Sequence, residues 1–133
     1  MSAERQRYLD ASAIVKLIVC EPESEALACW LGEGGQAIVS CALVRTEVVR
    51  AAAPWGPEAI LRARRLLDHL DLIVLDDALL EVAGELVAPL CIVGAIHVAA
   101  ALELGEELEA FVTYDRQMTR AAATLGLTVV APA

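Results

Sequence analysis

Short apolar runs alternate with longer helical patterns along this chain, and that alternation most restricts the folds open to it. The runs at residues 7–10, 37–40, 72–75, 111–115 and 128–130 have the length of short buried strands. Strands that alternate with helices in this way are typical of a parallel sheet covered on both faces. We therefore predict a three-layer α/β domain with right-handed crossovers, in which the loops after the strands meet at one edge of the sheet.

Seven helical segments are predicted between these strands. Ser12 is a residue type that favours helix N-caps, and it precedes the first segment. The glycine-rich stretch at 32–35 predicts a turn. Gly105 is expected to end an almost wholly apolar helix, which should lie in the middle of the domain. The predicted helices cover residues 12–19, 25–31, 41–53, 58–70, 76–87, 94–104 and 116–125.

Length and charge narrow the possible classes of protein. A chain of 133 residues without an internal repeat or linker fits one domain, residues 1–133, and its 58% hydrophobic content is enough for a substantial core. Nineteen acidic and ten basic residues give a net charge of −9. That balance argues against a broad basic surface for duplex nucleic acid, although it leaves room for a local basic rim beside a metal site.

The cysteines and the N-terminus predict a cytoplasmic protein. None of the four cysteines lies at metal-ligand spacing from another cysteine or from a histidine, so we expect reduced thiols. The polar start of the chain does not resemble a signal peptide. The longest uncharged run, Leu86 to Leu102, contains Pro89 and His97 and is expected to be a core helix rather than a membrane span.

Two aspartates follow predicted strands directly. Asp10 ends the first strand and Asp115 ends the fourth, so both should lie at the carboxyl edge of the sheet, where open α/β sheets bind ligands. Each has a hydroxyl neighbour two residues away, Ser12 and Thr113. A helix N-cap or a turn is the simpler explanation for either aspartate alone.

Glu47 is an acid on a largely apolar helix face. Its neighbours at three and four residues include Leu43, Val44 and Ala51, and burying a carboxylate is costly unless it is paired or bound to a metal. The alternative is a pair with Arg50, one turn further along the helix. If Asp10, Asp115 and Glu47 converge, their oxygens suit a hard cation such as Mg²⁺ or Mn²⁺.

A cluster of acids at strand ends also fits a phospho-accepting receiver domain. Such domains need a lysine at the end of a late strand. The only lysine of this chain, Lys16, lies in the first predicted helix, which argues against a receiver domain.

Four motifs follow one another along the chain: Y-L-D-A-S-A at residues 8–13, V-R-T-E-V at 44–48, A-I-H-V-A-A-A at 95–101 and V-T-Y-D at 112–115. In order and spacing they resemble the motifs of PIN-domain ribonucleases of the VapC type, the toxins of bacterial toxin–antitoxin pairs. Each motif is weak alone, but the set is specific and covers nearly the whole chain.

This resemblance implies an endoribonuclease that depends on Mg²⁺ or Mn²⁺ and has Asp10, Glu47 and Asp115 as its catalytic residues and metal ligands. Ser12 and Thr113 would support metal-bound waters or orient Asp10 and Asp115. The resemblance also implies a homodimer that is blocked by a cognate antitoxin and reaches DNA only through that antitoxin. No association with a membrane is expected.

Gly94 departs from the family pattern, which has an aspartate immediately before Ala95-Ile96-His97. Glycine at a helix start costs only about a few tenths of a kcal/mol relative to an aspartate cap, so the fold should survive. Loss of a metal-binding acid should weaken the activity, because even the loss of a supporting residue costs roughly 10–100-fold. The alternative reading is a catalytically silent PIN domain that serves as an antitoxin-binding module in a DNA-binding complex.

Other residues near the predicted site have two possible roles each. His97 is attractive as a general base, although a histidine packed in the core is the more common case. Several arginines near the acids in sequence are candidates for contacts to phosphate or to the antitoxin, or are ordinary surface residues. These arginines are Arg45, Arg50, Arg116 and Arg120.

Overall fold

The computed structural model describes residues 5–133 and has a parallel five-stranded sheet as its middle layer, as predicted. The strand order is β3-β2-β1-β4-β5, and every neighbouring pair is parallel. The strands are β1 (Gln6–Leu9), β2 (Ala37–Cys41), β3 (Asp71–Ile73), β4 (Leu108–Val112) and β5 (Val129–Val130).

Helices cover both faces of this sheet. Short 3₁₀ turns at Ala53–Trp55 and Gly105–Glu107 supplement them. In residues 5–133 the α-helices are α1 (Ala11–Val15), α2 (Ser24–Gly34), α3 (Val44–Ala52), α4 (Pro57–Asp68), α5 (Asp77–Glu85), α6 (Ile92–Glu103) and α7 (Arg116–Thr124).

The alternation of side chains along the strands divides the core in two. Successive residues of a strand point to opposite faces. Leu9 therefore packs with the residues of α1 to α4, whereas Tyr8 packs with α5, α6 and α7. In the same way Val112 and Phe111 of β4 belong to different clusters. Both faces are apolar, which explains why the strands appear in the sequence as continuous hydrophobic runs.

The strand order changes direction at β1, which is the switch point of the sheet. The chain adds β2 and β3 on one side of β1 and then returns to place β4 and β5 on the other. In open α/β sheets, the loops on either side of such a switch point diverge and leave a crevice at the carboxyl ends of the strands. The residues that follow β1 and β4, including Asp10 and Asp115, therefore lie at this edge of the sheet.

Several predicted boundaries were wrong for identifiable reasons. Ser12 does not cap α1; Asp10 does, because its carboxylate accepts the backbone N–H of Ala13. The predicted turn at 32–35 belongs mostly to α2, which ends at Gly34, and only Gly35 adopts the left-handed conformation, with φ of 65°. Strand β4 begins at Leu108, three residues before the predicted start, because pairing with β1 extends it.

The apolar helix α6 lies in the core, as predicted, and it begins at Ile92 rather than at Gly94. Cys91 is its N-cap, and Gly105 follows its end with a positive φ of 53°. Within residues 5–133, no helix has the length and apolar character that crossing a bilayer requires.

Helix α4 offers a matched pair of leucines for testing how the core stabilises this fold. Leu67 is 1% exposed and Leu61 is 48% exposed on the same helix. We expect Leu67→Ala to lower the free energy of unfolding by about 2–5 kcal/mol, because it leaves a cavity. Leu61→Ala should change it by less than about 0.5 kcal/mol. Urea unfolding measures both changes, provided that the dependence of the free energy of unfolding on urea concentration is the same in all variants. Equal losses of stability in Leu67→Ala and Leu61→Ala would contradict this account of the core.

Candidate active site at the carboxyl edge of the sheet

Asp10 is a buried carboxylate held by three donors, two from the first turn of α1 and one from the residue after β4. Its side chain is almost fully enclosed, with the residue 1% exposed. Oδ1 accepts hydrogen bonds from the Ser12 hydroxyl at 2.7 Å and from the Ala13 backbone N–H at 3.0 Å. Oδ2 accepts one from the Thr113 hydroxyl at 2.6 Å. Burial raises the pKa of Asp10 above its ordinary value, and these hydrogen bonds, led by that from Thr113, offset only part of the shift.

Thr113 connects Asp10 to Asp115. Its hydroxyl donates to Asp10 and accepts the backbone N–H of Asp115 at 3.1 Å. The Asp115 carboxylate caps α7 by accepting the Met118 backbone N–H at 2.8 Å, while the residue itself is exposed. Ser12 makes a similar link, because its oxygen accepts the Tyr114 backbone N–H at 3.0 Å. The two hydroxyl residues therefore tie the ends of β1 and β4 together.

Glu47 reaches the site from α3 and pairs with His97 of α6, not with Arg50. Its Oε1 lies 2.7 Å from Nε2 of His97, which is completely buried. Nδ1 of the same ring lies 2.7 Å from the hydroxyl of Tyr8, and Cys41 Sγ lies 3.7 Å from it. Burial lowers the pKa of His97, but hydrogen bonds to Cys41 and Glu47, together with the charges of those groups, outweigh it and shift the pKa upward.

A groove of about 380 Å³ opens beside these residues. Lys16, the only lysine, lies in its wall, with Nζ 2.6 Å from a Glu23 carboxylate oxygen and 4.6 Å from the centre of the Tyr114 ring. The groove thus has acidic, basic and aromatic groups within one concave surface. It is lined by Ala11, Ser12, Val15, Lys16, Glu21, Glu47, Ala51 and Tyr114.

Gly94 is buried in the first turn of α6, where its backbone N–H points to Cys91 Sγ at 3.3 Å. A Cβ at this position would meet Leu90 Cδ2 at 3.2 Å, Cys91 Sγ at 3.5 Å and Met118 Cγ at 3.7 Å. The closest of these atoms is the end of a flexible side chain. A larger residue therefore fits after a small movement of Leu90, and the backbone conformation does not require glycine.

The three predicted ligands, Asp10, Glu47 and Asp115, have the right ligand atoms for a divalent cation. Their side chains are not grouped around one point in this structure. All three supply carboxylate oxygens, which Mg²⁺ and Mn²⁺ prefer. Asp10 and Asp115 are linked through Thr113, whereas Glu47 is joined to His97. Over residues 5–133, no three acidic, histidine or cysteine side chains are grouped closely enough to hold a metal ion.

The candidate arginines lie on the surface around this edge. Arg45 is exposed and makes a long 3.5 Å ion pair with Asp68 of α4. Arg50, Arg116 and Arg120 are also exposed.

Sequence reasoning missed the pairing of Glu47 with His97 and the position of Lys16. The available signal for the first was the unexplained histidine in an otherwise apolar helix, since a buried imidazole needs polar partners for both nitrogens. Those partners, Tyr8 and Glu47, are 89 and 50 residues away, so no local pattern reveals them.

Comparisons with known proteins agree with this fold and show the family. A family model described as PIN domain matches residues 7–124. The chain is 48% identical to Ribonuclease VapC46 of Mycobacterium tuberculosis over 94% of this chain and 96% of that protein. Among solved structures, VapC20 of Mycobacterium tuberculosis, described as a Sarcin-Ricin loop cleaving toxin, aligns with a TM-score of 0.76 at 16% identity, covering 95% of this chain and 99% of that one. VapBC2 from Rickettsia felis, bound to a DNA fragment from its promoter, aligns with a TM-score of 0.69 at 15% identity, covering 96% and 99%.

Thr113→Val tests how Asp10 is held. The substitution keeps the shape of the side chain but removes the donor to Asp10 Oδ2 and the acceptor of the Asp115 backbone N–H. A hydrogen bond to a charged group contributes about 1.5–3 kcal/mol. We expect the free energy of unfolding at pH 7 in EDTA to fall by about that amount. The control is Thr124→Val, at an exposed threonine that is the last residue of α7. It should change the free energy of unfolding little.

The loss in Thr113→Val should also depend on pH. The pKa of folded Asp10 lies above its unfolded value, so the stability linked to Asp10 is fully present below the unfolded pKa and is lost as pH rises through the folded pKa. Removing a donor raises the folded pKa further. The deficit should therefore shrink in acid, and a deficit that stays constant from pH 3 to pH 7 would contradict this account.

Proposed function

We propose that this chain, which belongs to the PIN-domain family and within it to the VapC-type ribonucleases, is a toxin that cleaves RNA internally with the help of Mg²⁺ or Mn²⁺. The observation that carries the proposal is the Asp10 carboxylate, buried at the switch point of the sheet and linked through Thr113 to Asp115. A buried acid with raised pKa at a ligand-binding edge is typical of a functional site.

Asp10, Glu47 and Asp115 would hold the metal ion. A bound Mg²⁺ or Mn²⁺ would activate water and stabilise the charge that develops on the phosphodiester. Ser12 and Thr113 hold both oxygens of Asp10 in one orientation before any ligand arrives. Lys16 contributes the positive charge that lines the groove.

We further propose that the activity of this chain is weaker than that of family members with an acid at the position of Gly94. Gly94 supplies no side-chain oxygen. The negative charge available to a cation is therefore lower than with an acid at this position. The backbone at position 94 does not require glycine, and a side chain fits there after a small movement of Leu90. The missing acid is therefore not a requirement of the fold, and its absence should affect mainly the site.

The partners of this protein follow from the same family membership. We propose a cognate antitoxin, a homodimeric toxin and contact with DNA only through the antitoxin. Support for the antitoxin comes from the similarity to toxins solved in complexes, including the Rickettsia felis pair on promoter DNA. The net charge of −9 supports indirect rather than direct DNA binding. The exposed Arg45, Arg50 and Arg116 are candidates for contacts to RNA phosphate or to the antitoxin.

Cleavage of a total-RNA mixture in Mg²⁺ and in Mn²⁺ tests the proposed activity. Each protein is purified free of antitoxin. We expect weak, metal-dependent cleavage by the unaltered chain, none by Asp10→Ala, and at least roughly 10-fold faster cleavage by Gly94→Asp, since it restores a metal-binding acid.

Gly94→Asn is the matched control, because it introduces the same volume without the charge. It should not raise the rate. An increase with Gly94→Asn equal to that with Gly94→Asp would assign the effect to packing. Cleavage that persists in Asp10→Ala would refute the assigned site, and inactivity of all folded forms would argue for a silent binding module.

A further inference from the structure

We infer that His97 is a positioning residue, which holds the Glu47 carboxylate at the groove for metal binding while Tyr8 anchors the opposite side of the imidazole ring. This inference rests on the proposed function, because it assigns a role to His97 in the same site. It concerns a residue that contributes no atom to the groove lining itself.

The contact between His97 and Glu47 joins two helices on different sides of the sheet edge. Glu47 belongs to α3 and His97 to α6, and the Nε2–Oε1 distance is 2.7 Å. The imidazole is completely buried, whereas the Glu47 side chain is 23% exposed and lines the groove. A carboxylate only accepts hydrogen bonds, so Nε2 must carry a proton directed at Glu47.

The other ring nitrogen is held just as closely. Nδ1 lies 2.7 Å from the hydroxyl of Tyr8, a fully buried residue of the central strand β1. Tyr8 is itself fixed by stacking on Phe111 of β4, with ring centres 5.4 Å apart and planes 10° apart. The imidazole is therefore hydrogen-bonded to the central strand of the sheet, which in turn fixes the position of Glu47.

This arrangement goes beyond ordinary filling of the core. Glutamate has several rotatable bonds, and without a partner Glu47 could extend into solvent, as its neighbours Arg45 and Thr46 do. Carboxylates that bind metals are themselves oriented by hydrogen bonds from a surrounding shell of residues. His97 lies one helical turn after Gly94, so both face the same edge of the sheet.

Two amide substitutions separate positioning from packing. His97→Gln can place an N–H near the position of Nε2 and keep the bond to Glu47. His97→Asn is shorter, so its amide reaches the position of Nδ1, near Tyr8, but not Glu47. We expect Mn²⁺ affinity, measured by electron paramagnetic resonance, to fall roughly 10–100-fold in His97→Asn and to be largely retained in His97→Gln.

His97→Gln and His97→Asn are also compared in the Gly94→Asp background. The same two substitutions at the exposed His69 control for the replacement of a histidine. In RNA cleavage, His97→Asn should raise the Mn²⁺ concentration for half-maximal rate more than it lowers the rate at saturating Mn²⁺. In a Glu47→Gln protein, His97→Asn should cause no further loss of affinity, because its effect acts through Glu47.

Nitrogen-15 spectra of the histidine rings give a readout that requires neither a variant at His97 nor activity. The chain has two histidines, and His69 serves as the internal reference. We expect a protonated Nε2 on His97 whose resonance moves in Glu47→Gln while that of His69 does not. An unprotonated Nε2 in the unaltered protein would overturn the inference.

The outcomes also separate this inference from the proposed function. Mn²⁺ binding that is equal in folded His97→Asn and His97→Gln would overturn the positioning role and leave the nuclease proposal intact. Failure of both the unaltered chain and Gly94→Asp to bind Mn²⁺ would overturn the proposed function, and the inference with it.

Discussion

The hydrogen bonds that Asp10 accepts determine how the carboxyl edge of this protein is built. Removing a carboxylate from water costs on the order of several kcal/mol, and only well-placed donors offset that cost. The three donors come from Ser12, from the backbone of Ala13 and from Thr113. They join strand β1, helix α1 and the end of strand β4. The first turn of α1 and the end of β4 therefore replace the water that Asp10 loses on burial. They do so while Asp10 stays at the switch point of the sheet.

Glu47 is accommodated differently. Its partner is the imidazole of His97, which is held in turn by Tyr8 in the centre of the sheet. The two acids are thus held by different groups, Asp10 by donors of α1 and of the segment after β4, and Glu47 by a histidine of α6.

Gly94 separates the stability of the fold from the chemistry of the site. Helix α6 begins with a thiol cap from Cys91 and runs through the core, and neither feature needs an acid at position 94. The space at this position is limited mainly by the flexible end of Leu90. An aspartate can therefore be lost here at little structural cost, while the charge that a metal ion would meet is reduced.

The sequence by itself determined the layered α/β architecture, the parallel sheet and the placement of Asp10 and Asp115 at its edge. Those features depend on local patterns, since an apolar strand followed by an acid and a helix specifies direction and position together. The motif resemblance supplied the family, and the family comparison confirmed it. Only the tertiary structure decided that Lys16 lines the groove and that Glu47 pairs with His97 instead of Arg50. Both outcomes depend on distances between elements that are far apart in sequence, and such distances are set by how the helices pack on the sheet.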